Sequence, residues 1–218
     1  MRLDHTHDPA AKSWVESANV PGTPFPIQNL PFAVFRRTGQ NETFRGGVAL
    51  GDFVVDLAAL AQTGLCEGFA LTAAQACARP GLDEFFAMGP TAWRALRYAL
   101  FAIFESGAAT SVTSRASAQA CLIPLTEVEY GLPATIGDYT DFYTSIDHAR
   151  NVMKVMRPGA SLAPNFQWMP VAYHGRASSI GVSGQSVRRP RGQRMPQDAL
   201  RPEFAACAKL DYELELGI

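Results

Sequence analysis

The chain contains 218 residues, of which 47% are hydrophobic and 18% charged, and its 19 basic and 20 acidic side chains leave a formal net charge of -1. This composition can bury the core of one large or two modest domains, and it excludes a charge-driven disordered chain. The charge balance argues against a nucleic-acid-binding protein, which usually carries an excess of Lys and Arg. The most apolar stretch, residues 98–104, is far shorter than the roughly 20 residues of a membrane-spanning helix.

The N-terminus and the cysteines favour a cytoplasmic protein. The first eight residues include several charged and imidazole side chains and lack the apolar core of a secretory signal. The cysteines are widely spaced and form no Cys-x-x-Cys pair, so we expect reduced thiols rather than disulfides or metal ligands. They are Cys66, Cys77, Cys121 and Cys207.

The first half of the chain has the pattern of a small β-rich domain. Residues 1–24 form a polar lead-in rich in Pro and Gly, which we expect to pack late or not at all. Residues 32–35 predict a strand. Two apolar runs, at 47–50 and 53–56, flank a Gly-Asp dipeptide at 51–52, and this pattern predicts a β-hairpin with a two-residue turn.

Helices are expected to follow in the same domain. Short helices are predicted at residues 57–62 and 83–88, and a longer one at 90–105 begins at proline and ends before Gly107. Apolar residues recur along this longer helix at helical spacing, which predicts a buried stripe. The stripe consists of Trp93, Leu96, Leu100, Ile103 and Phe104.

These elements divide the chain into a lead-in and two domains. The β-rich domain with its helical additions fills residues 25–121, and we interpret the Pro-containing stretch 122–125 as a linker. Residues 122–218 differ in character, with Gly- and Pro-containing loops, dense polar motifs and short alternating strands. The last segment, 210–218, has a strand pattern that stops without a polar tail, so we expect a chain that has been cut there.

The polar stretch at residues 138–143 is the first candidate for a functional site. A strand would place Tyr139, Asp141 and Tyr143 on one face, because side chains alternate along a strand. A carboxylate between two aromatic rings is unusual for a core and suits a binding site. The alternative is a half-exposed strand with Asp141 in solvent.

A helix with two candidate residues is predicted directly afterwards. Residues 144–147 resemble a helix N-cap, and the helix should continue to about Met156. His148 then lies in the first turn, close to the end of the Asp141 strand, where it can act as base or acid or be merely structural. Arg157 in the last turn can bind a substrate carboxylate with its forked guanidinium, or simply complement the helix dipole.

Three further segments carry polar side chains. Glu213 and Glu215 would project from one strand face, either into water or around a hard cation such as Ca²⁺ or Mg²⁺ that Asp141 would also contact. The polar segment 170–179 either lines a site or forms a surface turn. The arginine-rich run 188–194 lacks interleaved aromatic residues, so we expect no nucleic-acid partner.

Five segments, in their order and spacing, resemble the fumarylacetoacetase family. They are Phe25–Pro31, Asp138–Tyr143, Tyr173–Ser179, Arg188–Gln193 and Leu214–Leu216. Each motif alone is weak evidence, but together they cover nearly the whole chain from Phe25 onward. The resemblance implies a mainly β fold with α additions (α+β), in which an N-terminal SH3-like barrel precedes the start of a mixed β-roll catalytic domain.

The resemblance also implies an enzyme and its site residues. The family hydrolyses a carbon–carbon bond of the diketo diacid 4-fumarylacetoacetate to give fumarate and acetoacetate, the last step of tyrosine and phenylalanine catabolism. The resemblance assigns His148 as the general base. It assigns substrate binding to Tyr143, Arg157 and Tyr173, and a divalent cation, Ca²⁺ or Mg²⁺, to Asp141, Glu213 and Glu215. It further implies a homodimer.

One departure from the family bears on activity. Its further aspartate ligand, its oxyanion-binding glutamine and arginine, its substrate-facing lysine and the glutamate that orients the histidine all lie downstream of Ile218. We therefore expect these 218 residues to be inactive alone. Two alternatives remain open. One is a hydrolase or decarboxylase of another β-dicarbonyl acid, and the other is a non-catalytic module for assembly or binding.

Overall fold

The computed structural model describes residues 3–107 and 112–218. The chain divides into two compact units, Met1–Ile180 and Gly181–Ile218. The larger unit contains a five-stranded antiparallel sheet, a layer of helices, and a smaller strand-and-helix region that carries most of the candidate site. No helix in the described ranges is long and apolar enough to cross a membrane.

The main sheet contains the predicted strand and hairpin. Its strands are β1 (Phe32–Arg37), β2 (Arg45–Leu50), β3 (Phe53–Asp56), β4 (Leu122–Pro124) and β5 (Val128–Gly131). Strands β2 and β3 form the hairpin, in which Leu50 pairs with Phe53. Gly51 occupies the turn at φ +56°, a left-handed conformation that glycine adopts without steric cost.

The sheet curls because its two edge strands are joined by a single 3-10 turn. The strand order is β4-β3-β2-β1-β5, yet the turn Leu125–Glu127 connects β4 directly to β5. Three residues span at most roughly 11 Å, so the two edges approach each other here. No ladder joins β4 to β5 in the described part of the chain, and the barrel therefore stays open. The predicted α+β fold with an N-terminal SH3-like barrel is confirmed in this open form.

A helical layer is inserted between β3 and β4. It consists of α1 (Leu57–Leu60), α2 (Gly68–Cys77), α3 (Asp83–Ala87), α4 (Pro90–Phe104) and α5 (Val112–Gln119). The prediction for α4 is confirmed, and its apolar stripe is buried in the core shared with the sheet. Trp93 is the exception at 39% exposure, and its indole N–H donates to the Phe85 carbonyl at 2.8 Å.

Helix α2 packs against α4 although its sequence did not predict a helix. Its buried residues are Ala70, Ala73, Ala74, Ala76 and Cys77. Alanine is the strongest helix former, but a run of small side chains produces no stripe of large apolar residues. The same small side chains allow the α2 and α4 backbones to approach closely, because interaxial distance depends on side-chain size.

The N-terminal lead-in packs onto α4, so the alternative that it does not pack at all is wrong, whereas its late packing stays a prediction. Its buried residues are Thr6, Ser13, Val15 and Ala18. The backbone N–H of Trp14 donates to the Phe104 carbonyl, and the two rings stack with centroids 5.3 Å apart. Arg97 donates to the Thr6 hydroxyl at 2.8 Å and to the Gln28 carbonyl at 2.5 Å. The polar residues of this segment are therefore partners of α4 rather than signs of disorder.

The stretch 122–125, expected to be a linker, contains the edge strand β4. Leu122 pairs with Val55, and Ile123 is buried against Phe35 and Val54 in a second, smaller apolar cluster. Pro124 suits an edge strand, because it has no N–H to donate to a neighbour. The sheet continues through β5, past the predicted domain boundary at residue 121.

All four cysteines are free thiols, as predicted. Burial raises the pKa of Cys77 to about 12 and that of Cys121 to about 11. Burial also raises the pKa of Cys66. These three thiols are therefore protonated near neutral pH and behave as small apolar core residues.

The second half of the chain contains two small strand pairs. In the larger unit, β6 (Thr140–Phe142) pairs with β7 (Ala172–His174), and α6 (Ile146–Met156) lies between them in sequence. In the smaller unit, β8 (Arg191–Arg194) pairs with β9 (Glu203–Ala206). The strand pattern at 210–218 does not form a strand, since no described segment pairs with it to satisfy its backbone groups.

A charged network ties the hairpin to the loop before it. Arg45 donates to Asp56 at 2.8 Å and to Glu42 at 2.9 Å, and Arg37 donates to the other Glu42 oxygen at 3.2 Å. Hydrogen bonds from the Arg45 guanidinium and from the Arg37 backbone N–H lower the pKa of Glu42 to about 2. Ionised Glu42 therefore stabilises the folded sheet.

Acid is expected to remove this stabilisation between pH 4.5 and about 2. The folded state, with the lower Glu42 pKa, binds fewer protons than the unfolded chain, so the contribution is complete above pH 4.5 and disappears as the pH falls towards 2. Glu42→Gln should lower the urea midpoint of unfolding at pH 7. Between pH 4.5 and about 2, the midpoint of this variant should fall less with decreasing pH than the midpoint of the parent chain does. Urea titrations at a series of pH values, followed by tryptophan fluorescence, measure both effects.

The matched control for this experiment is Glu67→Gln, which changes an exposed glutamate. Its midpoint should follow the parent chain at every pH. Equal acid sensitivity in the parent and in Glu42→Gln would contradict the assignment to Glu42.

Candidate active site on the β6-β7 ribbon

The β6-β7 ribbon brings two of the predicted site residues together. Asp141 and Tyr173 lie directly opposite each other in the antiparallel register, where side chains share one face. The Tyr173 hydroxyl donates to Oδ2 of Asp141 at 2.7 Å. The hydrogen bond holds the carboxylate by one oxygen, and Oδ1 can accept a hydrogen bond or coordinate a cation. The sequence placed these residues 32 positions apart and did not predict their contact.

The ribbon is held in this register at its open end. His174 Nε2 lies 3.0 Å from Oδ1 of Asp138, and the Gly175 N–H donates to the Tyr139 carbonyl at 3.0 Å. The Tyr139 ring lies where a side chain on Gly175 would project, so this close approach requires glycine. Tyr139 therefore has a structural contact here, whereas the alternation pattern indicated only a shared face with Asp141.

The next two predicted residues meet where β6 leads into α6. The rings of Tyr143 and His148 pack edge to face, with centroids 5.2 Å apart and planes at 87°. Ser145 is the N-cap of α6, and its hydroxyl accepts the backbone N–H of His148 at 3.2 Å, as the predicted cap requires. The imidazole lies in the exposed first turn of α6, next to the strand that carries Asp141.

Phe166 is a neighbour of this pair that the sequence analysis did not identify. It lies in the 3-10 turn Pro164–Gln167, and its ring packs against Tyr143 at 5.6 Å and 90°. Both rings line an apolar cavity of about 300 Å³. The remaining lining residues are Ala149, Val152, Met153, Leu162, Ala163, Asn165 and Val171. The available signal was a single aromatic residue in a Pro-containing loop, which does not reveal its partner.

Arg157 lies at the other end of α6 from His148. It is the C-cap residue, and its backbone N–H donates to the Met153 carbonyl at 2.8 Å. The rise of 1.5 Å per residue places it about 14 Å along the helix axis from His148. The role of Arg157 in substrate binding stays a prediction.

Glu213 and Glu215 belong to the smaller unit, in an exposed segment without secondary structure. Within each unit, the described residues contain no group of three or more His, Cys, Asp or Glu side chains placed to hold a metal ion. The predicted ligand set takes Asp141 from the larger unit and both glutamates from the smaller one. This set also stays a prediction.

The domain that precedes the ribbon has a recognisable class. Residues 28–133, which cover the open barrel and its helical insertion, match the family described as "Fumarylacetoacetase N-terminal". The match ends just after β5, consistent with the sheet rather than with the boundary predicted at residue 121.

Curated relatives match a larger part of the chain. The fumarylacetoacetase of Oryza sativa subsp. japonica is 45% identical over 209 residues, which cover 94% of this chain and 48% of the relative. The fumarylacetoacetases of Arabidopsis thaliana and Homo sapiens are 42% and 41% identical, and 88% of this chain matches 46% of each. The chain spans about half the length of these relatives. Over this part it is similar to about half of a fumarylacetoacetase, and its residues 28–133 match the N-terminal domain of that family.

Proposed function

We propose that this chain supplies part of the active site of a fumarylacetoacetase, which hydrolyses 4-fumarylacetoacetate to fumarate and acetoacetate. The supporting observation is the hydrogen bond between Tyr173 and Asp141. Asp141 lies two residues before Tyr143, and the Tyr143 ring packs against His148. Four side chains of the types that this hydrolysis needs thus lie on one ribbon and the adjoining helical turn. The names of the relatives support the choice of substrate.

His148 is proposed to act as the general base. Its neutral imidazole removes a proton from water while the water oxygen adds to a ketone carbon of the substrate. The carbon–carbon bond next to that carbon then breaks, and its electron pair leaves as the enolate of acetoacetate, which takes up a proton. General-base catalysis of this kind typically contributes ~10²–10⁴-fold in rate.

The other proposed residues bind the anionic substrate. The substrate has two carboxylates, and the forked guanidinium of Arg157 can donate two parallel hydrogen bonds to one of them. The hydroxyls of Tyr143 and Tyr173 are suitable donors to its remaining oxygens. Tyr173 can donate only one proton, so it either holds Asp141 or binds the substrate at a given moment.

A divalent cation is part of the proposal. Ca²⁺ and Mg²⁺ both prefer oxygen ligands, and Oδ1 of Asp141 fits this requirement beside the oxygen that accepts from Tyr173. Asp141, Glu213 and Glu215 would hold the ion. When bound, the cation would act as a Lewis acid towards the diketone oxygens. A cytoplasmic homodimer belongs to the same proposal: the family resemblance supports the dimer, and the free cysteines suit a reducing compartment.

A chimeric enzyme tests the proposal directly. This chain would replace the matching portion of the rice relative, so that every catalytic position predicted here is supplied by this chain. We expect the chimera to form fumarate and acetoacetate in equal amounts, measured by chromatography. Asp141→Asn should weaken the binding of Ca²⁺ measured by calorimetry, because it replaces a charged ligand with a neutral amide.

Asp138→Asn is the matched control, since Asp138 lies on the same ribbon but pairs with His174. It should leave Ca²⁺ affinity close to that of the parent chimera. A folded chimera without turnover would contradict the proposed activity. Equal loss of Ca²⁺ affinity in both variants would contradict the role of Asp141.

A further inference from the structure

Three aromatic rings from the 3-10 turn, the loop after β6 and helix α6 form a continuous row beside the candidate site. Phe166 in the 3-10 turn packs edge to face on Tyr143, and Tyr143 packs edge to face on His148 in α6. Among the described residues, Tyr143 is the only aromatic ring in contact with the His148 imidazole. The direction of the imidazole therefore depends on where the Tyr143 ring lies.

The position of the Tyr143 ring depends in turn on Phe166. The Tyr143 backbone is held, because its N–H donates to the Val171 carbonyl at 2.8 Å, so the ring can move only by rotation about its side-chain bonds. The ring contacts that limit this rotation are His148, at 5.2 Å between centroids, and Phe166, at 5.6 Å. The rest of the cavity is lined mainly by small aliphatic side chains, which offer a smaller contact surface to the Tyr143 ring than a second ring does.

Phe166 itself is held in place by its turn. Its backbone N–H donates to the Ala163 carbonyl at 3.0 Å, and Pro164 at the first position of the turn limits the backbone further. The ring is partly buried against the cavity. Phe166 thus supplies a fixed surface against which Tyr143 can pack.

We propose that Phe166 is a positioning residue, which acts through Tyr143 to fix the orientation of the His148 imidazole. Phe166 contacts neither His148 nor any other predicted catalytic group except Tyr143 among the described contacts. Its catalytic consequence rests on the proposed function, whereas the orientation of the imidazole does not.

Nuclear magnetic resonance of the 218-residue chain tests the orientation without any enzyme assay. Nuclear Overhauser cross-peaks between the Tyr143 and His148 ring protons report their contact. Phe166→Leu keeps an apolar side chain but removes the ring, and we expect it to reduce these cross-peaks to less than about half of their parent intensity. Phe166→Tyr restores the ring and should restore the cross-peaks.

Phe142→Leu is the matched control, because Phe142 is an exposed phenylalanine on β6 with no ring contact to Tyr143 or His148 among the described residues. It should leave the cross-peaks unchanged. Three outcomes would overturn the proposal: unchanged cross-peaks in Phe166→Leu, equal loss in Phe142→Leu, or no Phe166–Tyr143 cross-peak in the parent chain.

This result can fail separately from the proposed function. Full turnover of a chimera that carries His148→Ala would refute His148 as the base, while the cross-peaks in the 218-residue chain would still report its orientation. Conversely, loss of the cross-peaks with Phe142→Leu would refute the positioning role even if the chimera were active.

Discussion

Replacing His148 with alanine in the chimeric enzyme should lower its turnover number by about 10²–10⁴-fold, with little change in KM. The imidazole is the proposed acceptor of the water proton, a role that alanine cannot take. Substrate affinity should change little, because the proposed substrate-binding groups are the two tyrosines and Arg157. Initial rates over a range of substrate concentrations separate the two constants.

Two further variants give this experiment its controls. His148→Gln keeps a polar side chain but no base, so it should be about as slow as alanine. His5→Ala removes an exposed histidine that packs on Tyr98 and Phe101 of α4, and its turnover should match the parent chimera. Turnover of His148→Ala within about tenfold of the parent would contradict the proposed base.

Replacing Phe104 with alanine should lower the free energy of unfolding of the larger unit by about 3–5 kcal/mol. The Phe104 ring is fully buried at the end of α4, and it stacks on Trp14 of the lead-in. Alanine would leave a cavity and would also remove the ring contact that holds the lead-in against the helix. Urea unfolding followed by tryptophan fluorescence measures the change, because all three tryptophans lie in the larger unit.

Phe69→Ala is the matched control for this loss. Phe69 lies on α2 and is 66% exposed, so its truncation removes little buried area and should cost less than about 1 kcal/mol. Proteolysis gives a second readout, since Phe104→Ala should make the first 20 residues more susceptible to cleavage than Phe69→Ala does. Equal destabilisation by the two variants would contradict a specific role of the Phe104–Trp14 contact.

Local patterns predicted the elements whose signal lies within a few neighbouring residues. The hairpin depends on a turn at 51–52 between two apolar runs, and α4 depends on a proline start and a stripe at helical spacing. The N-cap at Ser145 belongs to the same class, because its partner is the backbone N–H only three residues away. These interactions need no information about the rest of the fold.

Patterns of this kind failed where the stabilising partner is distant in sequence. Helix α2 is built from alanines, whose burial depends on the surface of α4. The lead-in looked like a tail because its polar residues have partners 91 to 94 positions away, such as Arg97 and Tyr98. Strand β4 looked like a linker because its pairing partner β3 precedes the whole helical insertion.

The candidate site divides in the same way. The sequence alone gives the order and the chemical types of its residues. These are sufficient for the resemblance to one family and for the proposal of His148 as base. The pairing of Tyr173 with Asp141 and the packing of Phe166 on Tyr143 exist only in the folded chain. These contacts join residues 23 to 32 positions apart, so strand register and loop path decide them. A sequence pattern carries residue identity and local spacing, whereas the direction of a side chain is set by all the elements that pack around it.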